Sequence, residues 1–131
     1  MTIRVRPDSP VPIYEQILTQ AVFAVANGDL PPGEMLPSVR DLSAELVVNP
    51  NTVVRAYQEL ERLGAIAPKR GLGMEVTAEG PKLCRERRKS IVLTRLREAL
   101  REAASAGLDA DDVCQMVAAE WPKLNTSRNG K

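Results

Sequence analysis

Apolar residues at helical spacing, a scarcity of aromatics, and two short runs around a basic glycine-containing turn predict a mostly α-helical chain with a small β element. Aromatics make up 3% of the 131 residues (Tyr14, Phe23, Tyr57 and Trp121), against 44% apolar residues in all. The core is therefore aliphatic, which favours packed helices over a β-sandwich. With 27% charged residues, the composition is neither disordered nor collagen-like.

The elements follow in order. Ile3-Arg4-Val5-Arg6 alternates and reads as one short strand. Pro10 and Pro12 set an extended entry, and Pro12 suits the first position of a helix. Ile13, Ile17, Ala21, Val22, Phe23, Ala24 and Val25, with Leu18 widening the stripe, then space as a largely buried helix, which Asn27-Gly28 ends. Three prolines and Gly33 make residues 29–37 a rigid loop. Ser38, with Asp41 three residues on, opens a two-turn helix to about Leu46. Val47-Val48 is a tight connection, and Asn49-Pro50 caps and starts a third helix that stops at Gly64. Residues 65–76 read as two short strands joined by Lys69-Arg70-Gly71-Leu72-Gly73.

Thr77 to Pro81 reads as a domain boundary. Lys82 to Ala106 is predicted as one long helix whose Leu93, Leu96, Leu100 and Ala103 form a narrow apolar seam. Gly107 breaks it. Asp109 caps a final short helix, flanked by Leu108 and Val113, that Pro122 ends near Trp121. Residues 122–131 are expected to be a flexible polar tail.

Several function classes lose ground on composition. The chain has no histidine, which removes His-based acid–base chemistry, His-assisted nucleophiles and His metal sites. Cys84 and Cys114 form no CxxC pair and read as small hydrophobes. No nucleophile–base pair, phosphate loop or metal cluster is evident, so no catalytic residue, cofactor or metal is expected. No apolar run approaches the ~20 residues of a membrane span, and the N-terminal residues carry no signal-peptide pattern. The expectation is a cytoplasmic protein. Bulk charge does not announce a nucleic-acid partner: residues 1–76 carry seven Lys/Arg against nine Asp/Glu, and residues 77–131 eleven against eight.

The order helix, loop, short helix, tight turn, longer helix and two-strand ribbon is a winged helix-turn-helix signature. On a helical wheel the apolar stripe of the third helix (Val53, Ala56, Tyr57, Leu60, Leu63) lies opposite Asn51, Arg55, Gln58 and Arg62, with Thr52 at the flank. Asn and Gln can pair bidentately with adenine, and Arg with guanine, in a major groove. A solvated face would look the same, with Arg55–Glu59 and Gln58–Arg62 as ordinary i, i+4 partners. Arg40 on the second helix could likewise simply pair with Asp41 or Glu45.

Residues 11–76 also carry a continuous pattern. It comprises Pro-Ile-Tyr-Glu-Gln-Ile at 12–17, Gly-Asp-Leu-Pro-Pro-Gly-Glu-Met-Leu-Pro-Ser-Val-Arg-Asp-Leu-Ser at 28–43, Asn-Pro-Asn-Thr-Val at 49–53, Ala-Tyr-Gln-Glu-Leu-Glu at 56–61 and Lys-Arg-Gly-Leu-Gly at 69–73. This resembles the winged-helix domain of GntR-type transcription regulators, and the Asn-Pro-Asn-Thr-Val version with a short helical tail is similar to the YtrA subfamily. The resemblance implies DNA contacts from Ser38 and Arg40 on the second helix, from Asn49, Asn51, Thr52 and Arg55 on the third, and from Lys69, Arg70 and Gly71 in the wing. Two positions depart from it. Pro50 and Val54 stand where the wider family usually has Arg, and Arg55 comes one position later, a 100° rotation on a helix.

The expected function is a homodimeric transcription regulator, a repressor that binds double-stranded operator DNA. Residues 11–76 would form the DNA-binding domain and 82–121 a helical dimerisation module with Leu93, Leu96, Leu100 and Ala103 at its interface. The competing reading is a winged-helix module that binds protein through the same face. Lys82, Arg85, Arg87, Arg88 and Lys89 form the densest positive run, either a solvated helix start or partners of Glu98 and Glu102 across a dimer. Trp121 either closes a core or caps the interface. About fifty tail residues leave no room for a large effector domain, and the sequence names no inducer.

Overall fold

The computed structural model describes residues 1–129, in two compact units that divide between Ile91 and Val92. The first contains α1 (Ile13–Asn27), α2 (Val39–Leu46), α3 (Pro50–Leu63), β1 (Ile66–Lys69) and β2 (Gly73–Val76). Helix α4 (Gly80–Ser105) begins in the first unit and ends in the second, which also holds α5 (Ala110–Asn129). The mostly helical fold with a small β-wing is as the sequence predicts, and most boundaries coincide because the stops are local. Gly28 and Gly64 end α1 and α3 in the left-handed conformation, and Ser38 and Asn49 cap α2 and α3.

The core is aliphatic. Ile17, Ala21 and Val22 of α1, Leu42 of α2, Val53, Ala56 and Leu60 of α3, and Ile66 and Val76 of the hairpin are almost fully buried together. Each large side chain among them contributes roughly 1.5–3 kcal/mol by leaving water. The strands pair antiparallel with Ile66 opposite Val76 and Lys69 opposite Gly73, so the hairpin base enters the core while its tip stays out. The loop before α2 joins this ribbon. Leu36 N donates to Met74 O at 2.9 Å and Val76 N to Glu34 O at 2.9 Å, with Met35 bridging Glu75. The proline-rich segment is thus a rudimentary third strand.

Residues 3–6 do not form the expected strand. Gln16 and Gln20, one turn apart on α1, take the place of a neighbouring strand. Gln20 Oε1 accepts from Arg4 N at 3.0 Å while its Nε2 donates to Arg4 O at 2.7 Å. Gln16 treats Arg6 the same way, at 2.7 and 3.0 Å. A side-chain amide offers one donor and one acceptor, as a peptide does, so the extended segment is satisfied without a sheet and Ile3 is delivered to the core.

The core also extends past Val76. Cys84 is fully buried, and Leu83 and Ile91 are partly buried. A Cβ at Gly80 would lie 2.9 Å from Ala65 O and 3.0 Å from Val76 Cγ1, so the first turn of α4 lies directly on the hairpin. A chain ending at Ile91 is therefore expected to unfold cooperatively on heating, followed by circular dichroism. A chain ending at Val76 should show a much lower midpoint or no transition, having lost the cover over Ala65 and Val76. Equal midpoints would mean that α4 adds nothing to the domain.

Burial pushes the Cys84 thiol up to about 11 and the Tyr57 phenol above its ordinary value. Well below pH 9 both groups are protonated in the folded and unfolded chains, and their stabilising effect is complete. Above pH 9 the unfolded chain releases the thiol proton and the folded chain retains it, so stability falls as pH rises. For Cys84 the loss is about 2–3 kcal/mol by pH 11. Urea midpoints at pH 8 and 10.5 measure it, and Cys84→Ala should flatten the fall.

Helix α5 departs from expectation. Asp109 and Asp112 form a reciprocal capping pair, each accepting from the other's backbone N–H at 2.9–3.0 Å, as the predicted cap requires. Pro122 does not end the helix, which runs on to Asn129. Proline lacks a donor, but its fixed φ is itself helical, so the chain continues with one backbone bond missing. The expected flexible tail is thus helical over 122–129, and residues 130–131 lie outside the described residues. Trp121 is 59% exposed and closes no core among the described residues.

Candidate nucleic-acid interface

The angle between α2 and α3 is set by three local devices. Ser38 Oγ accepts from Asp41 N at 3.0 Å and starts α2. Val47 ends it with φ 55°, a conformation that costs a β-branched residue about 1–2 kcal/mol. Asn49 Oδ1 accepts from Asn51 N at 2.8 Å and starts α3. The Tyr57 hydroxyl then donates to Pro37 O at 2.7 Å, tying the middle of α3 to the entry of α2. The caps commit one side-chain oxygen each of Ser38 and Asn49 to the fold. The amide Nδ2 of Asn49 has no hydrogen-bond partner among the described residues.

Helix α3 has the two faces the wheel predicts. Val53, Ala56, Tyr57 and Leu60 are buried, while Asn51, Arg55 and Gln58 are exposed and Thr52 is half-buried. The charges on the outer face pair differently from the Arg55–Glu59 and Gln58–Arg62 partners that i, i+4 spacing suggests. Glu59 binds Arg62 at 2.7 Å, three residues along, instead of Arg55. Arg55 lies over the Tyr14 ring of α1, 3.7 Å from its centroid. Pro12, Ile13, Tyr14, Asn49, Asn51, Thr52 and Arg55 together line an open notch between the starts of α1 and α3. Arg40 is exposed on α2 and pairs with neither Asp41 nor Glu45 among the described residues.

In the wing, Lys69 Nζ lies 3.6 Å from Glu75 Oε2 across the ribbon, which partly neutralises it. Arg70 and Gly71 are exposed at the tip, where Gly71 has φ 77° and Leu72 N closes the turn onto Lys69 O at 2.9 Å. The tip cation with no carboxylate partner among the described residues is thus Arg70. The sequence reading places none of Pro12, Ile13 and Tyr14 in the site, and Tyr14 is the one of the three that touches a predicted site residue through its ring. It stands 41 residues from Arg55, and nothing in local spacing joins them.

The basic run on α4 is mostly exposed, and Arg88 Nη1 donates to Asn27 Oδ1, tying α4 to the end of α1. In the second unit Leu93, Leu96 and Leu100 are 38%, 49% and 43% exposed, and Ala103 is half-buried. Met116, Val117, Trp121 and Leu124 of α5 are also exposed. Among the described residues no helix is long and apolar enough to cross a membrane, and no group of acidic or cysteine side chains is placed to hold a metal ion.

Residues 13–76 match the family described as bacterial regulatory proteins, gntR family. The chain is 35% identical over 115 residues to the HTH-type transcriptional repressor YtrA of Bacillus subtilis, covering 88% of each. A GntR family transcriptional regulator from Listeria monocytogenes superposes with a TM-score of 0.67 at 32% identity, over 86% of this chain and 97% of the other. YtrA from Sulfolobus acidocaldarius superposes at 0.58 with 34% identity, over 74% and 99%. The match to the family pattern, the winged helix-turn-helix geometry and the likeness to YtrA over most of the chain agree: this chain belongs to the gntR family of bacterial transcription regulators.

Proposed function

We propose that this protein is a cytoplasmic repressor that binds an inverted-repeat DNA operator as a homodimer. The observation that carries the reading is the outer face of α3, where Asn51, Arg55 and Gln58 stand exposed and Arg55 has no carboxylate partner among the described residues. In this reading α3 enters the major groove and Arg70, Gly71 and Lys69 reach the adjoining backbone. Arg40, Ser38, Asn49 and Thr52 fix the register through phosphates. The exposed leucine seam of α4 pairs two subunits, and occupancy of the promoter excludes polymerase. The likeness to the repressor YtrA supports the sign of the effect.

Selection from random duplex DNA tests this directly. Enriched inverted repeats with half-sites about one helical turn, roughly 10 bp, or a multiple apart are expected. No enrichment together with capture of a protein partner by the same face would favour an interaction module. On the selected DNA, Arg55→Ala should cost about 1–3 kcal/mol and relax the preference at one base position. Arg70→Ala should weaken all sequences alike and flatten the salt dependence by about one. Lys69→Ala should do less, because Glu75 already shares that charge. An Arg55→Ala loss equal on every sequence would make Arg55 a phosphate contact and leave Asn51 or Gln58 as the base reader.

A further inference from the structure

The charge on Arg55 is neither paired nor free to wander. Its i+4 neighbour Glu59 is taken by Arg62, and among the described residues no carboxylate lies within ion-pair distance of it. The guanidinium rests instead on the face of Tyr14, 3.7 Å from the ring centroid. Tyr14 belongs to the first turn of α1, which is anchored a turn later by the fully buried Ile17. The partly buried ring is therefore carried by an anchored helix, a different one from that of the arginine it supports. Its hydroxyl makes one long hydrogen bond, to Glu15 at 3.3 Å, and the stack borders the notch lined by Asn49, Asn51 and Thr52.

A ring covers one face of a guanidinium and leaves the N–H groups along its edge available. Those edge donors are what guanine O6 and N7 accept from. A side chain already held in one place loses less freedom on contact than a free rotor does. We infer that Tyr14 is a positioning residue for DNA recognition: its ring holds the Arg55 guanidinium at the notch, so that Arg55 meets a guanine edge as a preset fork. The inference rests on the reading of α3 as the DNA-reading helix. It assigns Tyr14 a role in specificity through Arg55, with its hydroxyl dispensable.

The test uses full-length protein in two arms. In the free protein, the Arg55 side-chain Nε–H resonance should be shifted upfield by the ring, keep that shift in Tyr14→Phe and lose it in Tyr14→Leu. No shift in the unsubstituted protein would mean the stack does not form and would overturn the inference. On selected operator DNA, Tyr14→Leu should weaken binding by about 2- to 5-fold, the range for an exposed cation–π contact, and reduce discrimination at the base position that Arg55→Ala relaxes. Tyr14→Phe should bind as the unsubstituted protein does. In an Arg55→Ala background, Tyr14→Leu should have no further effect. An undiminished loss in that background, or an equal loss in Tyr14→Phe, would show that Tyr14 acts on DNA by itself and overturn the positioning role. If the unsubstituted protein selects no DNA sequence while the upfield shift is present, the reading of α3 fails and the inference falls with it, a result distinct from loss of the stack.

Discussion

Replacing both Leu96 and Leu100 by glutamate is expected to convert the proposed dimer to a monomer and to lower its affinity for the proposed inverted-repeat operator by about 10²–10⁴-fold. The two leucines are 49% and 43% exposed in the single chain. Glutamate at a half-exposed helix position keeps its hydration and has good helix propensity, so the isolated chain tolerates it. Only an interface that buries the seam would force the carboxylates out of water, and that desolvation opposes association. Once the subunits separate, the second half-site is no longer bound intramolecularly, and the gain from linkage is lost. Sedimentation equilibrium reads the assembly, and binding to a single half-site should be nearly unchanged. A variant that remains dimeric would place the interface elsewhere, with the exposed α5 residues Met116, Val117 and Trp121 as the next surface to test.

What the sequence makes legible and what it hides divides along the range of the interactions. Helix ends coded by one residue and its near neighbours, such as Ser38, Asn49, Gly28 and Gly64, fall where the sequence reading puts them. The outer face of α3 is legible for the same reason, since helical periodicity alone separates Asn51, Arg55 and Gln58 from Val53, Ala56 and Leu60. Features that depend on distant partners are not legible. The alternation at residues 3–6 correctly marks extended backbone, but its partners are two glutamine side chains 10 and 16 residues on. The pairing of residues 34–36 with β2 and the burial of Cys84 need the tertiary fold to bring them together. Pro122 misleads because its missing donor removes one helix bond without forbidding the helix. The redirection of Arg55 from Glu59 to Tyr14 has no trace in spacing at all.

The buried face of α3 yields the second large effect. Leu60 is fully buried between α1, α2 and the hairpin residues that complete the core. Leu60→Ala removes its contacts and leaves a cavity, at a cost of about 2–5 kcal/mol. A domain of this size has only about 5–15 kcal/mol in total. The thermal midpoint of the first unit should therefore fall by roughly 10–30 °C. Operator binding measured well below that midpoint should survive, because Asn51, Arg55 and Gln58 project from the opposite face and the caps of α3 at Asn49 and Gly64 are untouched. Arg55→Ala should behave in the reverse way, with the midpoint nearly unchanged and affinity reduced. The two substitutions stand five residues apart on one helix, so opposite outcomes would assign one face to the fold and the other to the ligand. A Leu60→Ala protein with an unchanged midpoint would contradict the core described above. One with an unchanged midpoint and lost binding would place the ligand on the wrong face of α3.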